Sequence, residues 1–363
     1  MKRLPWIAAL ALLAGGGLAW LWWSRQAPEP PPAPPVAPAP QAPAPTVPPP
    51  TASAPTTAPS FRLPIACSLG TDCWVQNYVD ADPGPERADY TCGRLSYDGH
   101  KGTDFRLPDM PAVERGVPVL AAAAGVVRAV RDGMDDVNIR KIGREALQGR
   151  DAGNSVVVVH GDGWETQYAH LKRGSVAVKA GDRVEAGQKL GLVGLSGNTE
   201  FPHVHFEVRH QGKTVDPFVG PAEAPRCGGP RDPMWAAEVE PVLAYRPTAG
   251  LAAGFASGPV ETERAREGAY AADTLPRDAE ALVFWADVMG VLAGDEMRVV
   301  IDGPGGTVFD QRTPVKDSRV AWFSFAGRKR PPGGWPAGTY TGRFTLTRAG
   351  GTVVELTRRV TLQ

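Results

Sequence analysis

Apolar and polar positions divide the chain into unlike stretches. An uncharged apolar run from Leu4 to Trp23 follows Lys2 and Arg3, and about 20 such residues are what an α-helix needs to cross the hydrocarbon core. The run is longer than the roughly 7–15-residue core of a cleaved signal peptide, although Gly15, Gly16 and Gly17 would suit processing. A positive N-terminal flank favours a cytoplasmic N-terminus with the rest exported. Residues 1–25 are therefore expected to be a transmembrane signal anchor in the cytoplasmic (inner) membrane, with the body outside the cytoplasm, in the periplasm. Residues 26–60 are Pro, Ala and Thr with one charge, Glu29. Such a segment cannot bury apolar surface and runs as polyproline II, a linker reaching on the order of 100 Å.

Beyond the linker, short Val-rich runs broken by Gly, Asp and Asn recur: "GVPVLAAAAGVVRAV", "NSVVVVHGDGWETQYAHL", "GDRVEAGQKLGLVGLSGN" and "PHVHFEVRHQGKTV". These are strand and hairpin signals, so residues 61–228 read as a Gly-rich antiparallel β domain. Asp135–Gly149 departs from the pattern and predicts a short helix inserted between strands, either a flap near a site or a surface decoration. From about residue 240 the alternation strengthens in "EALVFWADV", "EMRVVIDGP", "GTVFDQRT", "RVAWFSFAG" and "GTYTGRFTLTRAGGTVVELTRRVTL". Strands at that spacing predict an immunoglobulin-like β-sandwich over 240–363. The fold class is mainly β.

Composition narrows the function. Lys plus Arg, 39, equals Asp plus Glu, 39, and there is no basic stripe with interleaved aromatics, so nucleic acid is excluded as a partner. The four cysteines, Cys67, Cys73, Cys92 and Cys227, lie in the exported body and read as two disulfides with three possible connectivities. Cys67 with Cys73 closes a short loop and leaves Cys92 for Cys227, the preferred pairing. A structural zinc site is the rival, but no C-x-x-C spacing supports it.

All six histidines, His100, His160, His170, His203, His205 and His210, fall in the first β domain. "HVH" on a strand sets His203 and His205 on one face, about 6–7 Å apart. His100 and Asp104 sit in "SYDGHKGTDF", where Gly99 and Gly102 indicate a loop entering a strand. The pair reads either as a loop hydrogen bond or, joined by His205, as three N/O ligands with a fourth position open, the layout of a catalytic rather than structural zinc site.

The order H-x-x-x-D, "YAHL", V-x-x-G-Q-x-L-G-x-x-G-x-[ST]-G and "HVHFE" resembles the lysostaphin-type (LytM-like) zinc metalloendopeptidases over about residues 95–220. The resemblance implies that His100, Asp104 and His205 hold Zn2+, and that His170 and His203 flank the attacking water as catalytic residues. It implies peptidoglycan crosslinks as substrate, or, where relatives have become regulators, activation of another cell-wall hydrolase. Without an H-E-x-x-H glutamate, a histidine is suited to be the proton acceptor. Glu207 shares the parity of His203 and His205 and is read as an imidazole partner or a cross-strand ion pair. Glu200, Phe201 and the insertion at 131–153 depart from the family pattern beside the expected groove. "VKAGDRVEAGQKLGLVG" also resembles biotinyl and lipoyl carrier hairpins, but Lys179 and Lys189 lack the hairpin-tip context. With no His or Cys beyond Cys227, the C-terminal domain is expected to act as a spacer or to bind a protein or wall ligand.

Overall fold

Strands this short leave most of their backbone donors and acceptors open unless they pair with one another, and the computed structural model, which describes residues 58–221 and 227–363, shows that pairing. The expected anchor and nearly all of the linker lie outside the described residues. Among the described residues no helix is long and apolar enough to cross a membrane.

The first half supplies β1 (Trp74–Asn77), β2 (Thr103–Arg106), β3 (Pro118–Leu120), β4 (Gly125–Arg131), β5 (Asn154–Gly161), β6 (Trp164–Leu171), β7 (Arg183–Val184), β8 (Lys189–Leu192), β9 (His203–His210) and β10 (Lys213–Val215). Eight of them form an antiparallel sheet in the order β1-β2-β9-β6-β5-β4-β7, with β10 beside β9, while β3 and β8 pair separately. Alternation in β9 decides which way the sheet faces. Val204, Phe206 and Val208 point into the core, each contributing roughly 1.5–3 kcal/mol by burial. His203, His205 and Glu207 are thereby turned to the opposite face.

Helix α1 (Met110–Arg115) starts where Asp109 Oδ1 accepts the Ala112 N–H at 2.9 Å, an N-cap. The insertion contains α2 (Ile139–Ile142) and a 3-10 turn, Arg144–Leu147. It lies against the loop preceding β9: the Ile139 N–H donates to Thr199 O at 3.0 Å, Asn138 Nδ2 donates to Glu200 O at 3.0 Å, and Arg140 pairs with Glu200 at 2.6 Å. These contacts tie the insertion to Thr199 and Glu200 and suit a flap and a surface decoration alike.

The second half holds β11 (Ala249–Ala256), helix α3 (Thr262–Arg266), β12 (Thr274–Leu275), β13 (Ala281–Val291), β14 (Glu296–Gly303), β15 (Gly306–Pro314), β16 (Arg319–Lys329), β17 (Gly338–Arg348) and β18 (Gly351–Leu362). A three-stranded sheet, β11-β13-β16, and a five-stranded sheet, β12-β18-β17-β14-β15, enclose a shared core that includes Phe284, Ile301, Phe344 and Leu346. The halves are not joined by an open connector. Met234, Trp235, Leu243 and Leu251 pack into the first core, as does Met289 of β13. The disulfides are Cys67–Cys73 and Cys92–Cys227, and no described cysteine is free. The Cys67, Asp72 and Cys73 group is thus closed by its own disulfide rather than open to a metal.

Candidate metal centre

Register brings the polar residues together. In the β2–β9 pairing Asp104 lies directly opposite His205, Ala169 of β6 lies opposite His205 on its other side, and Asn77 of β1 opposes Asp104. His100 reaches the same spot from the loop before β2. His100 Nε2 is 3.2 Å from Asp104 Oδ1, His205 Nδ1 is 2.8 Å from the same oxygen, and the two nitrogens are 3.2 Å apart.

His100 and Asp104 are each oriented by a second contact. His100 Nδ1 donates to Tyr78 O at 2.7 Å, which leaves Nε2 as the lone-pair nitrogen facing Asp104. The other carboxylate oxygen, Asp104 Oδ2, accepts from Asn77 Nδ2 at 2.9 Å. Burial works to raise the Asp104 pKa, but His100 and His203 outweigh it and hold the carboxyl well below its usual range. Asp104 keeps 2% of its side chain exposed and His205 keeps 16%, so the approach from solvent is on the His205 side.

His170 and His203 stand next to this triangle. His203 Nδ1 is 3.0 Å from Phe201 O and 3.1 Å from Thr199 Oγ1, and its Nε2 is 3.4 Å from Asp104 Oδ1. His170 Nδ1 donates to Ser196 O at 2.7 Å, and the two rings are 4.6 Å apart. His170 has φ of +62°, a left-handed conformation that is uncommon for a residue other than glycine and is stored strain of the kind concentrated at functional sites. Burial, with His203 and His205 adding to it, pushes His170 well below the usual histidine range.

The remaining histidines lie apart from this group. His160 bonds Ala124 O and Thr166 Oγ1, and His210 stacks on Trp164 at 4.2 Å. Glu207 pairs with Arg209 at 2.8 Å. That partner is two residues along the same strand, neither an imidazole nor a residue on a neighbouring strand. Asn77, which holds the Asp104 carboxylate, and Tyr78, whose carbonyl orients His100, carry no signal in the sequence, whereas Ser196, whose carbonyl orients His170, is the Ser/Thr position of the Gly-rich hairpin motif. Tyr78 and Ser196 act through a backbone carbonyl, and Asn77, next to Tyr78, through its side-chain amide.

Donors about 2.0–2.1 Å from a tetrahedral zinc lie roughly 3.3 Å from one another, and the three separations here are 2.8, 3.2 and 3.2 Å. The chemistry of the donors fits as well: one carboxylate and two imidazole nitrogens whose opposite sides are anchored or free. Such a layout defines a candidate mononuclear metal centre with an open coordination position.

Residues 98–217 match the model of peptidase family M23. The chain carries a domain of that family, a metallopeptidase family, which implies a metal ion at the site. Peptidoglycan DD-endopeptidase ShyA of Vibrio cholerae is 34% identical over 117 residues, 32% of this chain and 22% of that protein. DD-carboxypeptidase/endopeptidase Mpg of Neisseria meningitidis is 33% identical over 120 residues, again 32% of this chain and 22% of the relative. The chain thus spans under a quarter of the length of these two relatives. The catalytic domain of the M23 protein EnpA from Enterococcus faecalis is similar at 26% identity, covering 46% of this chain and 98% of that one, with a TM-score of 0.30.

Proposed function

We propose that the chain is a membrane-anchored zinc endopeptidase of the cell envelope that hydrolyses peptide bonds in peptidoglycan crosslinks. The observation that carries the reading is the His100, Asp104 and His205 triangle, whose donor atoms all lie within 4.8 Å of one another. Relatives named peptidoglycan endopeptidases support the substrate class, and the apolar Leu4–Trp23 run supports the periplasmic, inner-membrane location.

Zinc held by these three residues would polarise the scissile carbonyl and lower the pKa of water. The chain's own residues do the rest. His170, kept neutral by burial and fixed through Nδ1 on Ser196 O, offers Nε2 as the acceptor for the proton of the attacking water. His203, anchored through Nδ1 on Phe201 O, turns its Nε2 toward the same space, where a second proton on that nitrogen would let it donate to the carbonyl oxygen as charge develops. The 16% exposure of His205 leaves an entry for an extended peptide. The two C-terminal sheets fit an immunoglobulin-like accessory domain that binds a protein or wall ligand.

Purified peptidoglycan incubated with the soluble body should release peptides whose masses identify a hydrolysed crosslink. That activity should disappear on zinc chelation and return on zinc addition. Zinc-loaded protein that leaves the wall intact yet stimulates a second wall hydrolase would replace this reading with the regulatory one.

A further inference from the structure

Arg106 closes β2, directly opposite His203 of β9, and it is fully buried. Its Nη1 donates to Gln76 Oε1, and its Nη2 donates to Asp287 Oδ2 of β13 at 3.0 Å. Asp287 belongs to the C-terminal half and is itself 1% exposed. It also accepts from Arg266 of α3, at 2.7 Å on Oδ2 and 3.0 Å on Oδ1. The other side of the Arg106 guanidinium covers the Phe201 ring, 4.8 Å from its centroid. Phe201 in turn lies 4.8 Å from the His203 ring, tilted by 34°. A run of contacts therefore leads from the C-terminal sheet to a candidate catalytic imidazole, and each step is charge-assisted or aromatic.

The geometry of Phe201 suits a role toward substrate. It is half-buried, so part of the ring stays open to solvent while Arg106 and His203 pack against the rest. Tyr97, 49% exposed, lies 4.3 Å from the His100 ring. Two aromatic rings thus pack on histidines of the site, and Phe201 is the one tied to the second half of the chain.

We propose that Phe201 is a substrate-positioning residue, and that the C-terminal β domain sets its place through Asp287 and Arg106. The inference rests on the peptidase reading of the same site. Its ligand class is an apolar or methyl-bearing group flanking the scissile bond, packed against the open part of the ring. The C-terminal half then belongs to the substrate site and is more than a tether.

Two readouts on the full chain test it. Hydrolysis of soluble crosslinked muropeptide dimers should show KM raised roughly tenfold in Phe201→Ala and in Asp287→Asn, with kcat little changed and bound zinc unaltered. Phe201→Tyr should restore the parent KM, and the Phe201→Ala, Asp287→Asn double variant should be no worse than Phe201→Ala alone. Separately, 4-fluorophenylalanine at position 201 should give a 19F resonance that moves on Asp287→Asn in zinc-free protein. If Asp287→Asn does not fold, Arg106→Lys, which keeps the charge and loses the flat face, takes its place in both arms. Additive losses, or an active parent whose fluorine signal and KM both ignore these changes, overturn the proposal. A parent that hydrolyses nothing while the resonance still moves sinks the peptidase reading and supports the domain's control of Phe201.

Discussion

Gly102→Ala is the most direct perturbation of the proposed ligand geometry that leaves every ligand in place. A Cβ at Gly102 would stand 2.6 Å from His205 Nε2, 2.7 Å from His205 Cε1 and 2.7 Å from Phe206 O, where ordinary contacts begin near 3.4 Å. Phe206 cannot yield, because it pairs with Thr103 in the β2–β9 ladder and its side chain is buried in the core. The imidazole must therefore move, by about 0.8 Å at Nε2, whereas metal–ligand distances tolerate about 0.2 Å. Zinc affinity should fall by about 10–100-fold, the usual consequence of mispositioning a ligand, or roughly 1.4–2.7 kcal/mol. The assay is competition with a chromophoric chelator at neutral pH, with thermal unfolding recorded beside it. Gly99→Ala is the matched control: its φ is +72° and nothing lies within 4 Å of the added Cβ. It should lose about 1–2 kcal/mol of stability from the left-handed backbone and keep parental zinc affinity. Parental affinity in Gly102→Ala would show that His205 does not hold the metal in this geometry.

His170→Ala should retain zinc and fold yet lower wall-peptide hydrolysis by roughly 10²–10⁴-fold, while Asp104→Ala should lose zinc and activity together; hydrolysis near the parental rate in His170→Ala removes it as the proton acceptor. The Cys92–Cys227 link spans 135 residues and Cys67–Cys73 spans 6, so chain entropy predicts losses of about 5 and about 2 kcal/mol on replacing each pair by serine. Equal losses in urea titration would refute that ordering. Burial is the largest influence on Asp216, and with Asp89 adding to it the carboxyl is pushed up to about 7, so the folded state holds a proton that the unfolded chain gives up near 4. Stability should accordingly fall as pH rises from about 4 to about 7, by at most on the order of 4 kcal/mol. Asp216→Asn should gain Tm over the parent at pH 8 and lose that gain at pH 4.5, and a gap independent of pH would count against the desolvated carboxylate.

How much was legible depended on whether a residue acts through its own type or through its neighbours. The strands of the second half were readable because apolar side chains alternate in runs such as "RVAWFSFAG". The strand β11 was not, since "AGLAAGFA" is built of residues depleted in sheets and is held by pairing with β13. In the site, His100, Asp104, His170, His203 and His205 could be named from motif order, and the β2–β9 register brings their atoms together. Asn77 and Tyr78 were hidden because their contribution is a place on the neighbouring strand β1 and a backbone carbonyl just past it. Arg106 and Asp287 were equally hidden. Each reads as one charge in an alternating strand, and only tertiary packing across 181 positions makes them partners.

The triangle also bears on why these residues should hold a cation at all. His100 gives its Nδ1 proton to Tyr78 O, so its Nε2 meets Asp104 Oδ1 and His205 Nδ1 as a lone pair unless a second proton is taken up. Burial opposes that proton while Asp104 favours it, and the balance raises His100 whereas burial leaves His205 lowered. When His100 Nε2 is unprotonated, a proton on His205 Nδ1 satisfies Asp104 Oδ1 at 2.8 Å but leaves the His100 lone pair crowded against both, and poorly satisfied polar groups in a buried site are destabilising. A divalent cation at the centre would accept all three lone pairs at once and remove the conflict. A face used only as a docking shape would gain nothing from the buried conflict, and replacing the three residues by apolar ones would stabilise it. Zinc should therefore stabilise this fold as well as its chemistry, raising Tm in the parent and leaving His205→Ala unmoved.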